Sequence, residues 1–340
     1  MMNIIDFVQQ KGFYTRAVAI NGKKIYSSAH WFNALFVTDL DTKETQLITK
    51  FKGRIDAENL YSRAFSYENT IWFIPSVDNE DIAIYDCFSK QIHYLNIGKS
   101  DSLYLRYEKT IRDGDVIWLI PSECRTLTKI NMREETLCSY SIPDGTCCDK
   151  NGFFQISDAI LWNKCIYFCP TKGRTSIIFN TESETFEVID WKYKEDAYRC
   201  ACICKNELYI IPRNPKLMPI IKCGRRMECV EEIFLDIKEN IKSKIGYIGT
   251  VQIDSNQISL VSYDEKNILQ IDFGRRKAHI ISNHEIGRCY QISKIYDENN
   301  FTVFSSILNS SPLLIYYKNQ PEIVELNIST SAFVDYLSLI

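Results

Sequence analysis

Histidine is scarce, with four in 340 residues. A site built on converging imidazoles has few residues to draw on. Thirteen cysteines include no Cys-x2-Cys pair, which argues against a zinc ribbon or a thioredoxin-type redox site. No nucleophile elbow is visible, so a Ser-His-Asp triad cannot be placed. No apolar run approaches the roughly 20 residues that a membrane helix needs. The N-terminal stretch MMNIIDFVQQKGFY lacks a basic start, a long apolar stretch and a small-residue cleavage site, so it is not read as a secretory signal. A net charge of -3 provides no global field toward nucleic acid or anionic membrane. Cytoplasmic location, reduced thiols and no cofactor or metal are the expectations that follow.

What is present is a repeat. Glu68 to Ile97 reads as a turn, a strand at Ile71 to Ile74, a stop at Pro75 and a polar loop. A second strand, a turn at Asp86 to Lys90 and an outer strand follow. The anchors are Ile25-Tyr26, Ile71-Trp72-Phe73, Ile117-Trp118-Leu119, Ile166-Tyr167-Phe168 and Leu208-Tyr209-Ile210, then the weaker Ile258-Ser259-Leu260 and Phe301-Thr302-Val303. Their spacings are 46, 46, 49, 42, 50 and 43 residues. That period, with four short strands per unit, predicts propeller blades.

Asn, Asp, Lys or Gly precedes each anchor, as tight hairpins require. Pro75, Pro121, Pro170 and Pro212 stop the second strand, because proline has no N–H for the ladder. The third strand is read as ending at Asp41, Asp86, Asn131, Asn180 and Asp272. The expectation is an all-β chain, a single seven-bladed β-propeller over 14–328 with four antiparallel strands per blade. Residues 1–13 form an N-terminal extension and 329–340 a tail. One terminal segment is expected to seal blade seven against blade one.

The phrases Asn21-Gly22-Lys23-Lys24-Ile25-Tyr26 and Ile84-Tyr85-Asp86 resemble the Kelch repeat, and the likeness spans 14–328. No repeat carries the Gly-Gly of that pattern; proline or serine sits near its place. The resemblance implies a propeller and admits binding modules and enzymes alike.

Five constellations invite a function. Arg16, Arg63, Arg106, Arg199 and Arg288 fall near the start of the innermost strand, three of them in Tyr-x-Arg steps (Tyr14, Tyr61 and Tyr104). Guanidinium forks there suit a carboxylate, phosphate or acidic peptide, whereas carbonyls of a neighbouring loop are the plainer use. Trp31-Phe32 with His30, in the loop after the second strand, suits either a partner anchor or a plug; His284 lies on the same face. Gly224-Arg225-Arg226 and Gly274-Arg275-Arg276 form a basic patch in two outer-rim turns. Cys200, Cys202 and Cys204 share one strand face, as packers more readily than as metal ligands. Cys147-Cys148 are read as exposed and open to oxidation.

The favoured function is a non-catalytic scaffold or interaction module presenting one face to a protein or peptide, acidic in one version, with no nucleic acid or membrane partner. The alternative is a pocket for a small anionic metabolite or sugar, including an isomerase or lyase acting at the channel mouth. A third reading is a structural subunit that packs through its rim.

Overall fold

A computed structural model provides the fold. It describes residues 15–76, 79, 81–99, 102, 105–193, 197–238, 247–252, 255–262, 267–282, 290–291, 301–306, 313–317, 320–324 and 327–328. The segments 1–13 and 329–340, together with Tyr104, His284 and Arg288, lie outside the described residues.

Seven antiparallel sheets follow one another along the chain, with no helix among the described residues. Blade 1 is β1 (Thr15–Asn21), β2 (Lys24–Ala29), β3 (Leu35–Asp39) and β4 (Glu44–Thr49). Blade 2 is β5 (Tyr61–Tyr67), β6 (Thr70–Pro75), β7 (Asp81–Asp86) and β8 (Ile92–Asn96). Blade 3 is β9 (Tyr107–Asp113), β10 (Val116–Pro121), β11 (Thr126–Asn131) and β12 (Thr136–Ser141). Blade 4 is β13 (Ile156–Trp162), β14 (Cys165–Pro170), β15 (Thr175–Asn180) and β16 (Thr185–Asp190). Blade 5 is β17 (Tyr198–Cys204), β18 (Glu207–Pro212), β19 (Ile220–Cys223) and β20 (Cys229–Ile233). Blade 6 is β21 (Tyr247–Gln252), β22 (Gln257–Ser262), β23 (Asn267–Asp272) and β24 (Lys277–Ser282). Blade 7 is β25 (Tyr290–Gln291), β26 (Phe301–Ser306), β27 (Leu313–Tyr317) and β28 (Gln320–Val324), and a short β29 (Asn327–Ile328) follows.

The chain divides into two compact units, blades 1, 2 and 7 in one and blades 3 to 6 in the other. Within each unit the core lies between facing sheets. Phe51, Tyr61, Ile71 and Phe73 join blades 1 and 2. Trp118, Phe168 and Phe179 join blades 3 and 4, and Tyr167, Tyr198 and Ile221 join blades 4 and 5. Second strands are therefore buried on both faces, and β6 and β10 are apolar at every residue from isoleucine to proline. Aromatic and β-branched side chains fit that pleated, two-sided burial. Outer strands such as β12 and β16 carry exposed positions along their length.

The turns follow the chemistry of their residues. Asn163 with Lys164 and Lys205 with Asn206 take positive φ in pairs, the geometry of tight hairpins. Between third and fourth strands, an Asp or Asn oxygen accepts backbone N–H groups two and three residues on: Asp86 from Phe88 and Ser89, Asn131 from Arg133 and Glu134, Asn180 from Glu182 and Ser183. In blade 1 this residue is Asp39, bonded to Asp41 and Thr42, and not the expected Asp41. Asp41 lies two residues further along, inside the turn. The N–H donors of Thr42 and of Ser89 are the main cause holding the Asp39 and Asp86 carboxyls below the usual carboxylate range. Their contribution to the turns is present above the ordinary carboxylate pKa and is lost as pH falls through the lowered one.

Segments leaving a blade dock on the outer edge of the blade that follows. After β20, Asp236 makes a parallel bridge to Lys277, the first residue of β24. After β28, β29 pairs in parallel with β4, Asn327 against Glu44 and Ile328 against Thr45. The end of blade 7 thus treats blade 1 as its successor, and the same unpaired edge accepts it. No helix of the described residues is long and apolar enough to cross a membrane.

Candidate functional site

Every inner strand with full pairing starts on an irregularity. Tyr61 pairs with Pro75 and Arg63 with Ile74, so Ser62 is extra. Glu108 is extra between Tyr107 and Lys109, and Arg199 between Tyr198 and Cys200. Arg16 and Ala17 face Ser28 alone, and Ser157 and Asp158 face Cys169 alone. A bulge re-aims side chains and bends its strand. Because inner strands start where second strands end, these bulges share one end of each blade with the loops from second to third strand.

This register sorts the arginines. Arg16 and Arg199 sit in bulges. Arg63 is two residues past Tyr61, the register that Lys109 holds past Tyr107. Arg106 precedes β9, so its Tyr-x-Arg step with Tyr104 does not correspond to that of Tyr61. Arg16, Arg63 and Arg106 are buried, while Arg199 is half-exposed. Arg63 Nη1 donates to the Ser62 carbonyl at 2.8 Å, and the Arg106 guanidinium lies 5.2 Å from the centre of the Tyr107 ring.

Two charged residues that the spacing argument missed form a buried ion pair. Lys109 Nζ lies 2.6 Å from Asp158 Oδ1, and both residues are buried. Asp158 Oδ1 also accepts the Ala159 N–H at 2.9 Å, and Oδ2 accepts the Ala201 N–H at 2.9 Å. One carboxylate thus ties β9, β13 and β17 together. Counting from the residue opposite the strand-ending prolines Pro121 and Pro170 places Lys109 and Asp158 in one column, and that count was the available signal.

In blade 1, His30 and Trp31 are half-buried and Phe32 is buried. Trp31 packs with Phe32, Phe36 and Ile55, and its ring meets that of His30 edge-on at 4.3 Å. The loop before β5 covers them: Asn59 N–H donates to the His30 carbonyl at 2.6 Å, and Asn33 bonds to Phe51 and Arg54. Trp31 therefore packs beneath a loop and does not stand out as a bare aromatic pair.

The rim arginines lie in their turns and reach across blades. Arg226 pairs with Glu187 of blade 4, and Arg276 with Glu231 of blade 5 at 2.5 Å. Lys129 of blade 3 pairs with Glu184 at 2.7 Å and is the main cause lowering the Glu184 pKa. Arg225 and Arg275 are exposed; Arg225 uses its carbonyl to accept the Tyr167 hydroxyl, and Arg275 Nε lies 3.9 Å from Asp272. The rim is a belt of paired charges, each pair worth under about 1 kcal/mol at the surface.

Cys200, Cys202 and Cys204 are buried against blade 6, with Cys200 Sγ donating to the Tyr247 carbonyl and Cys204 Sγ to that of Ser255. No group of three His, Cys, Asp or Glu able to hold a metal occurs among the described residues. Cys147 is buried and Cys148 half-buried, so the expected exposed pair is corrected. The Cys147 loop is held by Thr175, and burial pushes that thiol up to about 12. Cys138 is exposed. Thiol labelling of the folded chain at pH 8 is expected to modify Cys138 before the other described cysteines, with Cys147, Cys169 and Cys200 reacting only on unfolding; mass-mapped alkylation in and out of urea checks this, because burial withholds both the thiolate and the access.

No protein-family model matches the sequence, and comparison with curated protein sequences finds no match. Solved structures do match. The fold is similar to virginiamycin B lyase from Staphylococcus aureus, with a TM-score of 0.60 and 10% identity over 92% of this chain and 94% of that one. YCF48 bound to D1 peptide matches with a TM-score of 0.61 and 8% identity over 90% of this chain and 92% of that one. U3-55K matches with 0.59 and 10% over 86% and 88%. The class is thereby defined: an all-β, seven-bladed β-propeller.

Proposed function

We propose that this propeller is a binding module for a protein or peptide, read at the end of the blades where inner strands begin. The observation that carries the reading is the charge held there. Arg16, Arg63, Arg106, Lys109 and Asp158 are each buried at that end of their own blade, and in blade 1 the strand beyond runs apolar from Ala17 to Ile20. Burying charge costs stability, and a blade core does not need it. Peptide-bound YCF48 is a propeller of this size, which supports a peptide or protein as occupant. The repeat is read as Kelch-like on its Asn-Gly-Lys turn, and the free cysteines support a cytoplasmic home. Arg288 belongs to the same proposal by sequence position. A small anionic metabolite or sugar, or a lyase-type reaction, is the second reading; the polar group of Lys109, Asp158, Ser157 and Thr171 favours it.

Arg16→Met, Arg63→Met and Arg106→Met each remove a charge and keep an apolar stem. Immobilised wild type and an Arg226→Ala/Arg276→Ala rim variant are expected to capture the same stoichiometric partner from source lysate. Inner-strand variants with a wild-type urea midpoint are expected to lose it. Equal capture by the inner-strand variants sinks the proposal. Thermal stabilisation by a carboxylate metabolite or sugar, with no partner captured, moves the weight to the second reading.

A further inference from the structure

We infer that Arg199 is the residue that grips a carboxylate of the bound partner, and that Ser157 and Asp158 are positioning residues that hold it ready. This rests on the binding-module reading above and specifies the chemistry read there.

The inner edge of β17 is a sheet edge, since β17 is the first strand of its sheet. Two side chains of β13 cover it. Ser157 Oγ donates to the Arg199 carbonyl at 2.9 Å, and Asp158 Oδ2 accepts the Ala201 N–H at 2.9 Å. Arg199 is held by its own carbonyl on one side and by the anchored Ala201 N–H two residues on. The Thr171 hydroxyl donates to Ser157 Oγ, which leaves the Ser157 hydrogen free to point at Arg199. The bulge then makes Arg199 the extra residue of β17.

Its guanidinium stands apart from the paired charges around it. Arg226 and Arg276 have carboxylate partners, as does Lys109. Arg199 is half-exposed, and among the described residues its guanidinium has no hydrogen-bond or ion-pair partner. Asp158 takes three donors on its two oxygens, and its charge is paired with the Lys109 ammonium. Lys109 spends its charge on Asp158. One unspent fork with a fixed backbone matches one planar carboxylate, which accepts two parallel N–H bonds. A doubly charged phosphate calls for a second cation, and Lys109 is already committed.

The carboxylate comes from an acidic side chain or a peptide C-terminus, and the test separates them. Fluorescent octaglutamate with an amidated C-terminus and octaglutamine with a free C-terminus are titrated with the full chain, read by anisotropy. Wild type is expected to bind one of them. Arg199→Gln weakens that binding at least tenfold, and Arg199→Lys only partly restores it because the fork is gone. Ser157→Ala is expected to weaken binding several-fold at an unchanged urea midpoint, and to have no further effect on Arg199→Gln; a merely structural role would add to it. No binding of either peptide by wild type, or equal binding by Arg199→Gln, overturns the inference. Additive losses overturn the positioning role. Partner capture with Arg16→Met, Arg63→Met and Arg106→Met is scored separately, so failure here leaves the binding-module reading standing or falling on its own test.

Discussion

Asp158→Ala is expected to destabilise the chain by about 3–5 kcal/mol, the range for removing one partner of a buried ion pair. The carboxylate serves three donors on three blades, and its loss strands each of them. The Lys109 ammonium is left in a buried site, and the Ala201 N–H loses its acceptor on a strand edge. Urea unfolding followed by tryptophan fluorescence measures the change. Lys109→Met/Asp158→Leu is expected to recover the part of the loss that comes from the stranded ammonium, while the Ala159 and Ala201 N–H groups stay without their acceptor. A loss under about 1 kcal/mol in Asp158→Ala would mean that water reaches the pair and that it does not tie the blades.

Gly173→Ala is expected to cost about 2–5 kcal/mol. Two terms add. Gly173 has φ +70°, where an alanine loses about 1–2 kcal/mol to its own Cβ. That Cβ would also lie 2.2 Å from the Cys148 carbonyl oxygen, a backbone atom that cannot swing aside. Forcing the loop away is an overpacking cost of about 1–3 kcal/mol. Gly98→Ala is the control: its φ is +76° but nothing lies within 4 Å, so only the backbone term of about 1–2 kcal/mol applies. Equal midpoints for the two variants would refute the close approach. A larger loss in Gly173→Ala, with Cys148 newly reactive to alkylation, would locate the displacement in the loop that Thr175 and Arg125 hold.

Much of the fold was legible because its signals are local. A proline at the end of a second strand, an Asp or Asn opening an outer turn, and an isoleucine-aromatic anchor each act within a few residues. Asp41 reads as the end of the third strand because it carries the same side chain two residues past Asp39, and only hydrogen bonding tells which carboxylate caps the turn. The candidate site was less legible. The arginines stand out by composition, but alignment on tyrosine slips in blade 3, where Tyr107 holds the register of Tyr61 and Tyr104 repeats the Tyr-x-Arg step three residues earlier in the sequence. Burial also changes what a residue offers: Trp31 lies beneath a loop from the next blade, and Cys147 is enclosed by Thr175.

By itself the sequence determined the seven-fold repeat, the four strands of each blade and most of their turns, because period, propensity and turn chemistry are properties of short segments. Tertiary structure alone decided which charges meet. Lys109 and Asp158 are 49 residues apart, Arg226 and Glu187 are 39, and Arg276 and Glu231 are 45. Those distances are about one blade, so each pair forms only when neighbouring sheets pack face to face. The same packing brings Ser157 and Asp158 to the edge of β17, where they fix the backbone beside Arg199.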